Sequence, residues 1–541
     1  MMDNFSLLYP EGKEPSFMTL SDETCNDLSL EYLCEHITES EYEQNVIRHM
    51  MMRLESDPEV LRYRCDIFED ILRFPKLREK IKDLLQQLDY LKDLEKSVKD
   101  NTAAPIWQLI NRLQELDVYV NCITGINESL TENAIQSEGL KRMQQFVSSV
   151  YSESGFENLN EDIKGLMNEL GKIQSVSLGV NLDNRMRPVE VGIVSLNDAK
   201  FSKPKFLNKF LDFASKKSEI HGGTSFDGMT RIHTVGKVAG DDKLMSTLSR
   251  VITEMLGSTV KQLKNKLSRY VNISGYSLTK LIPEFIFYVR WAEFCEKLIQ
   301  LGLPMAKPKI LDLASREMHA KGLYNLKLGI QRLEGKELEI ICNDFEFTAE
   351  HGIYIMTGPN RGGKTTFTQA VGIIFLMAQH GIYVPAEAME LAPCDNIYTH
   401  FPADENQTVN LGRLGEESKR LSEIFEAATE KSVLLFNESL ATTSFAEGLY
   451  IAKDVVKALR YLGARTVFNT HMHELAMDLD TMNALEGDIK VASLITGIHE
   501  GLRSYKVFLA PPEGVSYAKD IAEKYGVTFD QLRTSIHNHR S

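Results

Sequence analysis

Residues 353–366 read IYIMTGPNRGGKTT. A β-branched, apolar run at 353–356 enters a glycine-rich turn, and a lysine followed by two threonines opens an amphipathic stretch beyond it. Gly358-x-x-x-x-Gly363-Lys364-Thr365 fits the phosphate-loop pattern G-x-x-x-x-G-K-[ST], in the strand–loop–helix setting that the pattern requires. Each residue type has a chemical reason. Gly362 and Gly363 let backbone N–H groups approach phosphate oxygens with no Cβ in the way. The N-terminus of the following helix adds the positive end of its dipole. Lys364 can reach the β- and γ-phosphates, and Thr365 offers a hydroxyl to Mg²⁺. Gly358, Pro359, Asn360, Arg361, Gly362, Gly363, Lys364, Thr365 and Thr366 are therefore the candidate nucleotide-binding residues. The competing reading is a plain glycine turn between a strand and a helix, and the complete pattern in this setting argues against it.

Downstream, strand-like runs at 353–357, 432–436, 465–469, 490–494 and 505–509 alternate with helix-like stretches at 364–380, 414–429, 444–461 and 515–525. That alternation predicts an α/β sheet with helices packed on it. Pro304, Pro308 and a strand-like 338–341 mark entry into this domain near residue 305. The run SVLLFNE at 432–438 is an apolar strand ending in an acid. Asn437 stands where an Asp usually helps to hold Mg²⁺, and Glu438 sits where a carboxylate can orient an attacking water. TVFNTH at 466–471 is a second buried strand, and a histidine at its end can sense a γ-phosphate. His471 with His473 also forms an H-x-H pair, but no third metal ligand accompanies it. A surface acid at Glu438, a surface histidine pair and a simple turn residue at Asn437 are the alternatives.

Upstream the texture is helical. Residues 1–25 are polar and aperiodic and read as a loose lead-in. Apolar residues recur at three- and four-residue spacing over 42–54 and 61–72. Residues 76–187 hold one proline, Pro105, and carry the apolar faces Leu84, Leu88, Leu91, Leu94 and Ile106, Leu109, Leu113, Leu116. Helix is also expected over 140–151 and 160–173. At 188–195 the sequence alternates like a strand. A basic, Phe-rich helix candidate follows at 200–217, then a strand-like 230–238; helix resumes at Leu244 and runs to about Leu303. A chain that goes out along helices, makes a small knot and returns implies an antiparallel helical arm.

The net charge of −15 argues by itself against a nucleic-acid partner, but its distribution matters more. Residues 200–270 hold 14 Lys/Arg against 6 Asp/Glu, a local +8, which leaves −23 on the remainder. Such a chain can present one basic face to phosphates, with an ordinary solvated helix face as the alternative. No apolar run approaches the ~20 residues of a membrane span, and the N-terminus shows no signal-peptide pattern. The seven cysteines are scattered without a C-x-x-C pair, consistent with reduced thiols, no zinc site and a cytoplasmic protein.

The stretch 357–366, TGPNRGGKTT, resembles the distinctive phosphate loop of the MutS family, and Val384-Pro385-Ala386 follows at that family's spacing. Asn437-Glu438 leads into Thr442-Thr443-Ser444 and Glu447-Gly448-Leu449, THMHEL at 470–475 resembles the family's switch, and GVSYA at 514–518 resembles its C-terminal closure. The resemblance covers about 305–541 and, more weakly, the helical arm. It implies a multidomain architecture: an α-helical core and lever arm with a small clamp-like insertion, followed by an α/β ABC-type P-loop ATPase domain. The corresponding segments are a lead-in at 1–27, an outgoing core and lever at 28–185, a clamp-like insertion at 186–243, a lever return at 244–304, and an ATPase domain with a C-terminal helical dimerisation segment at 305–541. ATP and Mg²⁺ are the implied cofactors, with Thr365 and Asn437 toward the metal and Glu438 and His471 as catalytic groups. A homodimer is implied, each chain completing the other's site through the region of Gly412, Arg413 and Gly415. Paired levers would enclose double-stranded or branched DNA. Lys200, Lys203, Lys205, Lys209, Lys216 and Lys217 would touch its backbone.

Several positions depart from the family pattern. Lever-like helices begin by residue 28, which leaves no room for a mismatch-reading or connector domain. Gly412 falls where the family usually has Ser, Asn437 replaces an Asp, and Arg361 replaces an apolar residue. The expectation is an ATPase, slowed by these replacements, that acts in DNA repair or recombination without reading mismatches. The alternative is a nucleotide-gated DNA- or protein-binding switch with little or no hydrolysis. A chromosome ATPase with long coiled arms is disfavoured, because 76–187 is too short for such heptad runs.

Overall fold

Three stretches have apolar centres and are buried almost from end to end: His351–Thr357, Val433–Asn437 and Arg465–Asn469. Strands with this composition suit the middle of a parallel sheet, covered on both faces. The computed structural model describes residues 5–99, 105–152, 154–172, 174–186, 188–200, 223–225, 257–359, 362–402, 413–440, 444–487, 489–499, 502–511 and 525–533. In it these three strands are the centre of a six-stranded sheet, ordered Ile397–His400, Val433–Asn437, Arg465–Asn469, His351–Thr357, Lys490–His499, Leu502–Leu509. All neighbours are parallel except the last pair, which is antiparallel. A separate four-stranded sheet is ordered Lys309–Ile310, Ala388–Leu391, Met318–Leu323, Asn343–Phe347.

The helix Lys364–Ala378 is buried on nearly every side. A helix that is apolar all round needs cover beyond one sheet, and the N-terminal segment supplies it. A Cβ on Gly372 would lie 2.7 Å from Leu435 of the sheet and 2.5 Å from Leu28. Asp27 accepts from Thr399 Oγ1 at 2.6 Å and from Arg420 at 2.8 Å, while its carbonyl accepts from Gln369 Nε2. The Gln379 amide donates to the Glu55 and Cys394 carbonyls. At the sheet's other end Arg465 is 1% exposed, and it donates to the carbonyls of Ala392, Pro393 and Lys431 over the Phe375 ring. Burial draws its guanidinium down to about 10.

Packing groups Phe5–Arg78 and Ile135–Leu140 with Pro283–Ser541 in one unit. The helices of 28–78, which sequence alone joins to the arm, thus pack with the α/β part. The expected loose lead-in is corrected as well. Leu7, Leu20 and Cys25 are buried, Phe17–Thr19 pairs with Arg53–Glu55, and Ser21 caps the helix Asp22–Asp27 by accepting from Thr24 N–H. Glu284 accepts from Ser6 Oγ and Leu7 N–H at 2.7 and 2.6 Å. These residues form a clasp whose backbone is held by side chains of the body: the Tyr63 and Tyr288 hydroxyls donate to the Ser6 and Leu7 carbonyls, and Arg64 donates to that of Leu8. The helix expected over 42–54 ends at Met51, because Leu54 belongs to the strand Arg53–Glu55.

The second unit comprises Glu79–Ala134 and Lys141–Ile282, with helices Pro105–Glu132, Ser154–Gly171 and Gly257–Leu267 and most of Pro75–Lys99. Leu84, Leu88, Leu91, Leu113 and Leu116 are buried, as their spacing predicts. Arg112 bridges the carbonyls of Tyr270 and Ile273, and Tyr270 donates to Asp162. The predicted strand at 188–195 is Pro188–Asn197. It pairs with Ser175–Leu182, which sequence reading leaves inside the helical stretch because SVSLGVNL is too short and small-residued to signal itself. The 338–341 run is irregular; the strand starts at Asn343, where burial alternates residue by residue. The elements expected at 230–238 and most of 200–217 and 515–525 lie outside the described residues. No described helix is long and apolar enough to cross a membrane.

Gly381 has φ +73°, and a Cβ there would lie 2.2 Å from Arg64 Cβ and 3.0 Å from the Cys65 nitrogen, against the helix Pro58–Arg73. Gly381→Ala is expected to destabilise the protein by about 3 kcal/mol, from the left-handed φ and the overpacking together. Gly335→Ala is the comparison: φ is +85° but nothing lies within 4 Å, so only about 1 kcal/mol should be lost. Thermal unfolding reads both, and equal shifts would mean that the helix Pro58–Arg73 does not press on Gly381.

Candidate functional site

The parallel register sets the site. Asn437 pairs with Asn469, and Asn469 with Met356, so three strands end level with one another. The segments that leave these strands meet at that edge: the glycine loop after Thr357, Glu438 after Asn437, and Thr470-His471 after Asn469. Crevices at the carboxyl ends of parallel strands are where α/β sheets bind ligands.

Within the loop, Gly358 has φ +141°, and a Cβ would fall 2.1 Å from Thr496 Oγ1. Gly363, the N-cap of Lys364–Ala378, has φ +90°. Both positions demand glycine. Lys364 is 4% exposed, and its ammonium donates to the loop's own carbonyls, Gly358 O at 3.0 Å and Pro359 O at 3.1 Å. Burial holds its pKa below the usual lysine value, against the pull of Glu438. Thr365 Oγ1 donates to Asn437 Oδ1 at 2.8 Å, and the Asn469 amide donates to the same oxygen. His471 Nε2 stands 2.7 Å from Glu438 Oε1; that hydrogen bond is the main cause of the lowered Glu438 pKa, with burial opposing it.

A cavity of about 520 Å³ adjoins these groups, lined among others by Asn325, Asn343, Lys364, Thr365, Glu438 and Tyr505. Asn325 donates to Thr366 O, and Tyr505, at φ +54°, lays its ring against Gly363. Among the described residues, Thr357 Oγ1, Thr496 Oγ1 and Asn469 Oδ1 are buried without a hydrogen-bond partner beside the loop. The Thr365 hydroxyl, the Asn437 carbonyl oxygen and this unpaired Asn469 oxygen are hard oxygen donors of the kind that suits Mg²⁺. No group of three or more His, Cys, Asp or Glu side chains that could hold a metal gathers among the described residues. A second cleft, of about 590 Å³, borders Phe345, Tyr354 and Phe508 and has no such loop.

Of the residues singled out by sequence, Gly358, Pro359, Gly362, Gly363, Lys364, Thr365, Thr366, Asn437, Glu438 and His471 come together here. Asn360, Arg361 and Gly412 lie outside the described residues; Arg413 and Gly415 begin the helix Arg413–Ala427. Lys200 is exposed in the other unit, while Lys203, Lys205, Lys209, Lys216 and Lys217 are outside the described residues. Asn469, Thr496 and Tyr505 were not singled out by sequence. Asn469 had a signal, since it ends a strand two residues before His471 and so must neighbour Asn437.

Residues 354–507 match the family model of MutS domain V, and residues 56–301 match that of the MutS2 N-terminal domain. A DNA mismatch repair protein MutS from Chlorobium chlorochromatii is 32% identical over 226 residues, 41% of this chain and 26% of that protein. A DNA mismatch repair protein MutS 2 from Halobacterium salinarum is 31% identical over 196 residues, 36% and 22% of the two chains. A DNA mismatch repair protein MutS from Dehalococcoides mccartyi is 40% identical over 139 residues, 25% and 16%. The matched part of the chain spans about a quarter or less of these relatives' lengths.

The Glu438–His471 pair has a pH signature. A carboxylate whose pKa is lower in the folded state contributes stability above its unfolded value, 4.5, and loses it as pH falls through the folded value. Glu438→Gln should therefore flatten the acid side of the stability curve below about pH 4.5, by up to about 1 kcal/mol given the pair's partial exposure. Chemical denaturation of both forms at pH 7 and in mild acid measures it, and parallel curves would exclude a folded-state pair.

Proposed function

Because the chain belongs to the MutS family, we propose that it is a Mg²⁺-dependent ATPase that works as a dimer in DNA repair or recombination. Its nucleotide state would control a DNA-enclosing helical clamp. The observation that carries the reading is the meeting of a glycine-cradled, buried lysine with the Thr365–Asn437 and Glu438–His471 pairs at the strand ends.

The roles follow from the chemistry of each group. Lys364, desolvated and resting on two carbonyls, gains when phosphate oxygens take their place. Loop N–H groups and the N-terminus of Lys364–Ala378 take further phosphate oxygens. Thr365 and Asn437 would hold Mg²⁺, which when bound neutralises phosphate charge. Glu438, kept ionised by His471, orients water for attack on the terminal phosphorus. His471, 2.7 Å from that carboxylate and just past the end of the neighbouring strand Arg465–Asn469, would sense the γ-phosphate. The region of Gly412, Arg413 and Gly415 serves the partner chain's site.

On the DNA side, support comes from the +8 stretch at 200–270, of which Lys200, Lys261 and Lys264 are exposed among the described residues. Contacts to phosphates would make binding strongly salt-dependent. One observation favours a second reading, a nucleotide-gated switch with little turnover: Asn437 is neutral, and its one carbonyl oxygen already accepts two hydrogen bonds.

The test is ATP turnover of the wild type and Lys364→Ala, with Mg²⁺, alone and with duplex or branched DNA. Lys364→Ala should lose nucleotide binding or turnover, by about a hundredfold or more, and wild-type turnover should respond to DNA. Unchanged activity in Lys364→Ala would refute the site. Turnover that depends on Lys364 but ignores every DNA would refute the clamp, and tight ATP binding without turnover would select the switch.

A further inference from the structure

Glu438 does not stand on relaxed backbone. Glu438 and Leu440 both have left-handed φ, +53° and +64°, a conformation that non-glycine residues seldom adopt. Such geometry persists only where the surroundings hold it. Glu438 N–H donates to the Asn469 carbonyl at 2.8 Å, and two further contacts lead to one residue of the helix Arg413–Ala427. Leu440 N–H donates to Glu417 Oε2 at 2.9 Å. Ser439, buried between the two left-handed residues, lies 2.7 Å from His400 Nδ1, and His400 Nε2 lies 3.2 Å from the Glu417 carbonyl oxygen.

The acceptors settle where the protons are. His400 is 1% exposed, and burial pushes its imidazole down to about 4, so the ring is neutral at pH 7. A carbonyl can only accept, so Nε2 carries the ring proton and donates to Glu417 O. Nδ1 is then an acceptor and takes the Ser439 hydroxyl proton, in preference to the His400 carbonyl oxygen at 3.1 Å. The carboxylate and the carbonyl of Glu417 therefore grip the turn at two consecutive residues, Leu440 directly and Ser439 through His400.

We propose that Glu417 is a positioning residue: it holds the left-handed turn that aims Glu438, and so couples the helix Arg413–Ala427 to ATP hydrolysis. The proposal rests on the reading of this crevice as a nucleotide site. It adds that any shift of this helix changes the aim of the carboxylate. Glu417 itself touches neither nucleotide nor water in this scheme, so its loss should reduce turnover and spare binding.

The experiment compares wild type, Glu417→Ala and Glu417→Gln for Mg²⁺-ATP turnover, affinity for a fluorescent ATP analogue and thermal midpoint. Glu417→Ala is expected to lower kcat about tenfold or more, with nucleotide affinity within about twofold. Glu417→Gln should recover most of kcat, because its amide oxygen still accepts from Leu440 N–H. Should Glu417→Ala fail to fold, Ser439→Ala carries the same test from the His400 side. Unchanged kcat, parallel loss of affinity and kcat, or no recovery by Gln would each overturn the proposal, and so would ATP binding by the wild type without hydrolysis. Lys364→Ala separates the two levels: if it leaves turnover intact, the nucleotide-site reading fails, whereas loss of turnover in Lys364→Ala beside unchanged kcat in Glu417→Ala overturns the positioning role alone.

Discussion

Parallel pairing of three buried strands in one register is the constraint on which the site depends. Met356, Asn469 and Asn437 lie side by side, so the chain leaves the sheet three times at one level. Every group at the site inherits its place from that edge. The Thr365–Asn437 bond ties the first helical turn after the loop to the end of Val433–Asn437, one strand removed from His351–Thr357, and Asn469 closes the row from between them. A slip of one residue in any of these pairings would turn the side chains to the opposite face.

Holding that register requires cover on both faces, and the cover comes from far away in the chain. The helix Lys364–Ala378 is too apolar to face water, and the N-terminal clasp shields it through Leu28, Asp27 and Glu55. The Gln379 amide and the terminal guanidinium nitrogens of Arg465 are matched to backbone acceptors inside this packing. Removing one side of such a buried match leaves an unsatisfied donor or acceptor, which costs more than the bond contributes. The clasp and the sheet are therefore parts of one folding unit, despite the length of sequence between them.

Left-handed backbone at ordinary residues gathers where the chemistry would be, although Ser29, Met186 and Arg316 adopt it elsewhere. Gly358 and Gly363 adopt left-handed backbone without penalty, but Glu438, Leu440 and Tyr505 do so as ordinary residues. Glu438 and Tyr505 both line the cavity, and such geometry needs opposing restraints. Asn343, which bonds both Tyr505 O and Val507 N–H, plays for Tyr505 the part that Glu417 plays for Leu440.

The sequence by itself determined the α/β alternation, the strands at 353–357, 432–436, 465–469, 490–494 and 505–509 to within a few residues, and the loop glycines. These signals are local: an apolar run, a turn residue and a lysine at fixed spacing need no knowledge of the rest of the chain. It also named Asn437, Glu438 and His471, because each ends a buried strand. Tertiary structure alone decided that the polar N-terminus is a clasp and that 28–78 packs with the α/β unit. It decided, too, that the short run 175–182 is a strand and that His400 and Glu417 meet under Glu438. The physical reason is the same in each case. Buried polar residues are stabilised by partners tens or hundreds of residues away, so their sequence neighbourhood looks like an exposed loop or an ordinary charged helix face. Only the folded chain brings the partner into view.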